Sequence, residues 1–382
     1  MKQHILKSCL VILAAALLFC AVTGCRQSPG KIDSTDAAQT TAPVEISTTA
    51  QKSSAALTEL NLEHMPEGYS YTDMGWAGDD FYFIFDLDKD ENSDPISSAN
   101  LNEIKICLYD FEQNDLTEVY SGAVLDIPVT FQYQTCSNGK TYICSERDVI
   151  VIEPGTAPQW LQMVPKTNTD QRVWVTVSPD GQRVAYTDTS TGGMVVSALD
   201  NLSEKIEVFP TSYETIWTPD SNKLIQIDNT NEQGNKLMIY DFLTNKNTEI
   251  SLDLPYWGIV DPYDNNHVVC SDSGEIYKDG RKYYVKVQLD SGIKETVYLR
   301  PNTDERTHIT FYVGGDCLFF AAGLEPFSPQ TQLYKYDSKQ QILFEDTNTF
   351  TNIDTITPHF SGDKLVIRDR TDPTDRYCLL TY

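Results

Sequence analysis

The sequence predicts an all-β protein, a β-propeller built from four-stranded blades. Two segments, VTVSPDGQRVAY at 175–186 and TIWTPDSNKLIQI at 215–227, share an apolar strand, a Ser/Thr-Pro-Asp turn and a second apolar strand. Proline at the second turn position fixes φ, and the aspartate side chain bonds to the local backbone. Each segment is therefore expected to form a tight hairpin, and weaker copies such as MGWAGDDFYFIF and PHFSGDKLVIR recur along the chain.

The spacing of these hairpins is typical of propeller blades. Their turn residues lie 60, 42, 40, 44, 50 and 47 positions apart, at Asp79, Gly139, Gly181, Ser221, Asn265, Gly315 and Gly362. Repeats of about 40 to 50 residues with several strands each indicate a propeller. Further strand signals follow the hairpins and complete four strands per unit. We predict seven blades, with six as the alternative if one degenerate unit is misread.

The two ends of the chain are predicted to share one blade. The last unit ends at RYCLLTY (376–382) after three clear strands, and LTELNLE (57–63) precedes the first hairpin. Pairing these segments would supply the missing fourth strand and remove an open sheet edge, which is an aggregation hazard. The propeller domain is therefore expected to span residues 57–382.

The SPDG and TPDS hairpins resemble the WD40-like repeats of the TolB-type β-propellers, which also occur in prolyl oligopeptidase-like peptidases. The resemblance covers most of residues 70–382, and the third and fourth repeats match best. It implies the propeller fold. The sequence shows no α/β domain before the propeller, as TolB proteins have, and no hydrolase domain after it, as the peptidases have. The activities and partners of those families are therefore not expected here.

The N-terminus predicts export and lipid anchoring. MKQHILKSCLVILAAALLFCAVTGC carries Lys2 and Lys7, then an apolar stretch, then small residues before Cys25. This pattern is that of a signal peptide, residues 1–24. Its end resembles the lipobox of bacterial lipoproteins, which implies a lipidated Cys25 on the outer side of the cell membrane. The alternative is an uncleaved anchor, although Ser8 to Gly24 is short against the roughly 20 residues of a membrane span.

Residues 25–56 are predicted to be a flexible tether. They are rich in Ser, Thr, Ala and Gln and nearly free of large apolar side chains. Such a composition buries too little surface to offset the entropy lost on ordering. The folded domain is thus expected to be held away from the membrane by this segment.

The chain is strongly acidic, with a formal net charge of −26. An acidic surface repels nucleic acids and other anionic polymers. Basic peptides, neutral glycans, cations and other envelope proteins remain as partner classes. The charge also keeps an exported protein soluble.

One segment has a partial calcium-loop pattern. DLDKDENSD (86–94) places Asp86, Asp88, Asp90 and Asp94 between two predicted strands. Alternating carboxylates match the first ligands of a calcium loop, but Glu91 replaces the glycine of its sharp turn and Ser97 replaces its closing glutamate. A solvated loop is the favoured interpretation, and calcium is the one cofactor that remains under consideration.

Signatures of catalysis are absent from the sequence. No G-x-S-x-G, H-E-x-x-H, G-x-x-x-x-G-K or G-x-G-x-x-G pattern occurs. Six cysteines follow Cys25, without a C-x-x-C pair, and most lie in apolar strand-like runs where a thiol is a small buried side chain. The favoured function is therefore a binding or scaffold module for a peptide, a glycan or an envelope protein. The alternative is a glycan lyase or hydrolase acting at the channel mouth.

A ring of polar and tryptophan side chains is the candidate ligand site. Trp76, Trp217 and Phe360 lie just before their turns and are predicted to pack between blades. Three residues earlier, each blade contributes one residue near the start of its innermost strand: Asp73, Gln132, Trp174, Glu214, Trp257, Thr310 and Thr357. A buried position would collect aliphatic residues across seven copies. This ring is therefore expected to face the mouth of a wet channel.

Overall fold

The computed structural model describes residues 44–46, 50–87, 102–124, 131–165, 173–228, 236–252, 258–262, 264–272, 282–299, 308–323, 331–370 and 375–382. Cys25 and the predicted signal peptide lie outside these ranges. Every regular element in the described residues is a β-strand, which confirms the predicted all-β class. No described residue belongs to a long apolar helix of the kind that crosses a membrane.

Three short strands come first: β1 (Val44–Ile46), β2 (Gln51–Ser53) and β3 (Ala56–Glu59). Blade 1 follows with β4 (Tyr69–Ala77), β5 (Asp80–Leu87), β6 (Asn102–Asp110) and β7 (Asp115–Val124). Blade 2 consists of β8 (Gln132–Thr135), β9 (Thr141–Cys144), β10 (Asp148–Ile152) and β11 (Gln159–Gln162). Blade 3 consists of β12 (Val175–Val177), β13 (Arg183–Thr187), β14 (Met194–Ala198) and β15 (Asn201–Phe209).

Blade 4 contains β16 (Thr215–Trp217), β17 (Lys223–Asp228), β18 (Lys236–Asp241) and β19 (Lys246–Ser251). Blade 5 contains β20 (Gly258–Pro262), β21 (His267–Asp272), β22 (Lys282–Gln288) and β23 (Lys294–Leu299). Blade 6 contains β24 (His308–Gly314), β25 (Cys317–Gly323), β26 (Gln332–Asp337) and β27 (Ile342–Asp346). Blade 7 contains β28 (Ile353–Pro358), β29 (Lys364–Asp369) and β30 (Arg376–Thr381), and its outer strand is β3. The prediction of seven four-stranded blades is confirmed.

The hairpins form through the turn chemistry that their sequences predict. In blade 3 the Ser178 hydroxyl oxygen accepts the Arg183 N–H at 2.9 Å, and Gly181 adopts a φ of 69°. Ser221 adopts the same left-handed φ in blade 4, at 63°. Its hydroxyl oxygen accepts the Asp180 N–H at 2.9 Å, across the boundary between the two blades. The turns therefore both close each hairpin and connect neighbouring blades.

The core is divided among the boundaries between blades. In the described residues, seven clusters of buried apolar side chains each lie between two neighbouring blades, one for every boundary of the ring. Between blades 3 and 4, for example, the buried Trp217 ring stacks on Phe242 with centroids 5.3 Å apart. A single blade cannot bury both of its faces, so the blades stabilise one another around the central axis.

The ring is closed by the N-terminal segment. Strand β3 pairs antiparallel with β30, with Leu57 opposite Leu380. The closing strand is thus Ala56–Glu59, at the start of the segment 57–63 that the sequence indicates. Strand β1 adds in parallel to β23 at the outer edge of blade 5, and β2 adds in parallel to β27 of blade 6.

These contacts correct the boundary of the predicted tether. Within residues 25–56, the described parts 44–46 and 50–56 are paired with the propeller rather than separate from it. Small side chains allow the close approach, since Ala50 and Ala55 are both buried against the blades. Strands β1, β2 and β3 are termed the belt, because they follow the outer rim of blades 5, 6 and 7.

Candidate ligand site at the channel mouth

The two faces of the propeller differ in their connections. Where the innermost strands end, short turns lead into the second strands, such as 78–79 in blade 1 and 315–316 in blade 6. Where the innermost strands begin, the connections are longer, as in 188–193 of blade 3 and 210–214 between blades 3 and 4. Binding sites are commonly built from long connections on a rigid scaffold. This second face is termed the loop face, and the end of the channel there is termed the mouth.

Hydrogen bonds between blades establish which residues occupy equivalent positions at the mouth. The Trp76 indole N–H donates to the Thr357 carbonyl at 2.9 Å, and the Trp217 indole N–H donates to the Thr176 carbonyl at 3.5 Å. Trp76 and Trp217 are therefore equivalent, and so are Asp73 and Glu214, three residues earlier. Trp174, two residues before Thr176, occupies the same level in blade 3.

The predicted alignment is shifted in blade 7. Because Thr357 is equivalent to Thr176, the residue at the level of Trp174 is Thr355 and not Thr357. The cause is Phe360, which lies within the turn with 63% of its surface exposed, so its predicted packing between blades is wrong. Trp76 and Trp217 do pack between blades, as predicted.

The structure places two more of the predicted ring positions, and a third lies outside the described residues. Gln132 opens β8 and is half-buried. Thr310 lies in β24 opposite Ala321, in the register that Asp73 has in blade 1. Trp257 lies outside the described residues. The structure therefore brings Asp73, Gln132, Trp174 and Glu214 to one level on four consecutive blades.

Asp73 is a buried carboxylate between blades 1 and 2. Only 7% of its surface is exposed, and its Oδ2 accepts the Phe131 N–H at 2.7 Å. Burial raises the pKa of the Asp73 carboxyl to about 6, against the opposing effect of that N–H. The group therefore titrates in the mildly acidic range.

The Tyr133 ring crosses from blade 2 to blade 1 and lies on the backbone of Gly75. A Cβ atom at Gly75 would approach a Tyr133 ring carbon to 2.2 Å, so the position requires glycine. The Tyr133 hydroxyl is buried beside the Asp73 carboxyl, with which it interacts. Burial raises the pKa of this phenol.

A cavity of about 140 Å³ opens among the innermost strands of blades 2 to 5. Its lining residues are Gln132, Tyr133, Gln134, Cys144, Thr176, Val177, Thr215, Ile216, Trp217 and Pro262. Of the predicted ring, Gln132 lines the cavity directly. Glu214 and Trp174 are one and two residues from the lining residues Thr215 and Thr176, and so lie at its rim.

Two buried polar side chains of blade 4 face each other beside this cavity. Thr215 and Gln226 are opposite each other in the β16–β17 ladder, and each is 1% exposed. The Gln226 amide nitrogen donates to the Thr211 carbonyl at 3.2 Å. Within the described ranges, Thr215 Oγ1 and Gln226 Oε1 have no hydrogen-bond partner. Sequence reasoning missed both residues, although a glutamine inside the apolar run KLIQI was a usable signal.

The rim combines a carboxylate with an aromatic ring. Glu214 is exposed to solvent, yet the surrounding protein raises the pKa of its carboxyl by desolvation. This combination is expected for a group that faces a narrow, wet channel. The half-buried Trp174 is held by its backbone N–H, which donates to Thr187 Oγ1 at 2.8 Å.

The opposite side of the mouth is fixed by an ion-pair network. The Arg368 guanidinium lies 4.4 Å from the Tyr71 ring centre. It is 3.2 Å from an Asp354 oxygen and donates from Nε to Asp375 at 2.8 Å. With 16% of the Arg368 side chain exposed, this network holds blade 7 against blade 1 where the ring closes.

Most of the residues of the predicted calcium loop lie outside the described residues. Asp86 is described, and its Oδ1 accepts the Thr72 hydroxyl at 2.8 Å. Asp88, Asp90 and Asp94 are not among the described residues. Elsewhere in the described ranges, no group of three or more His, Cys, Asp or Glu side chains is placed to hold a metal ion. Calcium binding at this loop stays a prediction.

The buried Asp73 carboxyl predicts a specific pH dependence of stability. Its folded-state pKa of about 6 exceeds the ordinary 3.8, so the folded state binds the proton more tightly than the unfolded state. Ionisation therefore destabilises the fold as the pH rises from about 4 to 6, by about 3 kcal/mol in total. We expect Asp73→Asn to gain stability relative to wild type over this range in urea unfolding experiments. The exposed Glu112→Gln is the control, and parallel pH profiles for Asp73→Asn and wild type would contradict the assignment.

Comparisons with known proteins show that this chain is similar to them in fold. No protein-family model matches the chain, and no curated protein matches its sequence. Similar solved structures include hydrazine synthase of Kuenenia stuttgartiensis, with a TM-score of 0.50 and 11% identity over 82% of this chain and 96% of that one. TolB of Acinetobacter baumannii has a TM-score of 0.40 and 11% identity over 79% and 80%. An oligogalacturonate lyase in complex with manganese has 0.45 and 16% over 63% and 70%. With its seven four-stranded blades, the chain has the β-propeller fold, and its two hairpins resemble the repeats of TolB-type propellers.

Proposed function

We propose that the protein is an extracytoplasmic binding module that takes its ligand at the mouth of the propeller channel. One observation carries this proposal. The cavity is lined by Thr215, whose buried hydroxyl has no hydrogen-bond partner in the described residues, and Gln226 Oε1, opposite Thr215, also has none there. Buried polar groups in proteins are nearly always paired, because an unpaired group costs about 1–3 kcal/mol. A ligand that bonds to them at this position accounts for their retention.

The route of the belt supports a surface-anchored arrangement. The described chain begins at Val44 on the outer edge of blade 5, and the belt then follows the rim to blade 7. A tether attached at the rim leaves the loop face free for a partner. In this proposal Cys25 carries the lipid that retains the protein at the cell membrane, and Cys25→Ala releases it into the soluble fraction of cell lysates.

The ligand classes that suit the mouth are a glycan, a basic peptide or a segment of an envelope protein. The net charge of −26 disfavours nucleic acid. The exposed Glu214 carboxylate and the half-buried Trp174 ring lie at the same level on neighbouring blades, a combination that suits sugars and cationic side chains.

The test uses one rim tryptophan and one matched control. Purified wild type, Trp174→Ala and Trp160→Ala are titrated with cell-wall fragments, oligosaccharides and basic peptides while tryptophan fluorescence is recorded. Trp160 is 37% exposed on the outer strand of blade 2, far from the channel in its blade. We expect at least one ligand class to bind wild type and Trp160→Ala alike and Trp174→Ala at least tenfold more weakly.

Two results would count against this proposal. Equal binding by Trp174→Ala and wild type would show that the ligand does not bind at the mouth. Chemical conversion of a bound glycan by wild type would identify an enzyme instead of a binding module. Thermal unfolding of each variant shows whether any loss of binding comes from loss of the fold.

A further inference from the structure

The mouth cavity has the size of a single six-membered ring. Its volume of about 140 Å³ is close to that of the engineered cavity of roughly 150 Å³ that holds one benzene molecule. A peptide segment or several units of a polymer need more room. The cavity therefore admits one ring-sized group, either free or at the end of a longer molecule.

The lining of the cavity is uncharged. Its polar members are amides, hydroxyls and a phenol, and its other members are a thiol, aliphatic side chains, a proline and the Trp217 ring. A charged group would lose its hydration here without a counter-charge among the lining residues, which is costly. A neutral ligand that combines several hydrogen-bonding groups with an apolar surface fits this lining. A pyranose ring has both, since its hydroxyls point outward and its C–H groups form apolar faces.

Hydrogen-bonding capacity in the cavity remains unused by the protein. Thr215 Oγ1 is buried, and it has no partner in the described part of the chain. This hydroxyl both donates and accepts. Sugar hydroxyls have the same dual capacity, so they satisfy such groups in either direction.

The rim selects against negative charge. Glu214 stands next to Thr215 in the sequence and is exposed at the mouth. A carboxylate at the entrance repels an anionic ring. A sugar that carries a carboxylate is therefore disfavoured relative to its neutral counterpart.

We propose that the mouth cavity binds one neutral pyranose ring, a single sugar unit without a carboxylate. This inference rests on the proposed binding function and specifies its ligand class. Thr215 is the hydrogen-bonding residue of the subsite, Trp217 supplies the apolar wall, and the carboxylate of Glu214 excludes uronic acids.

The experiment compares sugars that differ only in a carboxylate. Full-length protein is titrated with D-glucose against D-glucuronate and with D-galactose against D-galacturonate, using tryptophan fluorescence. We expect saturable binding of at least one neutral sugar and at least tenfold weaker binding of its uronate. Thr215→Val should weaken binding of the neutral sugar about fivefold or more, as the loss of one hydrogen bond predicts. Thr215→Ser keeps the hydroxyl and should retain binding.

Stability separates a binding role of Thr215 from a structural one. Because its hydroxyl forms no hydrogen bond to a described residue, Thr215→Val should not lower the Tm. The control is Thr248→Val, an exposed threonine on β19 of the same blade, which should leave both binding and Tm unchanged. A fall in Tm for Thr215→Val together with undiminished sugar binding would overturn the proposed role of Thr215.

Other outcomes distinguish this inference from the proposed function. If a basic peptide binds at Trp174 and neither neutral sugar binds, the mouth remains a binding site and the sugar assignment is wrong. Uronates that bind as tightly as the neutral sugars would also overturn the assignment. If no sugar, cell-wall fragment or peptide binds, both the assignment and the proposed function fail.

Discussion

Removal of residues 1–59 will open the propeller ring, whereas removal of residues 1–43 will leave its stability unchanged. The longer deletion removes β3, the outer strand of blade 7, and exposes Leu380 and Cys378, which are fully buried in the complete chain. It also removes Leu57 and Ala55 from the cluster between blades 6 and 7. Each fully buried aliphatic side chain contributes about 1.5–3 kcal/mol. The expected loss is therefore about 5 kcal/mol, or a fall in Tm of ~10 °C.

An intermediate deletion tests the rest of the belt. Removing residues 1–55 takes away β1 and β2 but keeps β3. The belt crosses from blade 6 to blade 7 at Asp346, whose buried carboxylate accepts the Ala55 N–H at 3.3 Å. Next to it, the Thr347 N–H donates to the Ser53 carbonyl at 2.7 Å. We expect this variant to unfold between the other two in thermal scans. Equal Tm values for the deletions ending at 43 and 59 would show that the N-terminal segment does not close the ring.

The blade count follows from local chemistry, which is why the sequence predicts it. Pro179, Asp180 and Gly181 fix a turn through interactions within six residues, and each hairpin carries its own version of that signal. Seven such signals at regular spacing leave little freedom in the architecture. The belt is different, because β1 and β2 pair in parallel with edges that exist only after blades 5 and 6 have folded.

For the same reason, the sequence predicts only some of the residues at the mouth. The level of Asp73, Gln132, Trp174 and Glu214 can be found by counting back from the turns. Counting fails in blade 7, because Phe360 lies within the turn and the residue before the turn is Pro358. The contact of Tyr133 with Gly75 depends on how blade 2 is rotated against blade 1, and no local pattern contains that information.

Arg368→Ala is expected to destabilise the protein by about 2–3 kcal/mol in urea unfolding at pH 7, because it removes charged hydrogen bonds of a half-buried guanidinium. The substitution leaves Asp375 without the guanidinium that it bonds at 2.8 Å and uncovers the Tyr71 ring at the junction of blades 7 and 1. Arg370 is the matched control, because it also contacts Asp354, at 3.3 Å, but is 46% exposed. Exposed pairs contribute about 0–1 kcal/mol, so Arg370→Ala should lie near wild type. Similar losses for the two variants would mean that the charge of Asp354, and not the lower exposure of Arg368, sets the strength of this junction.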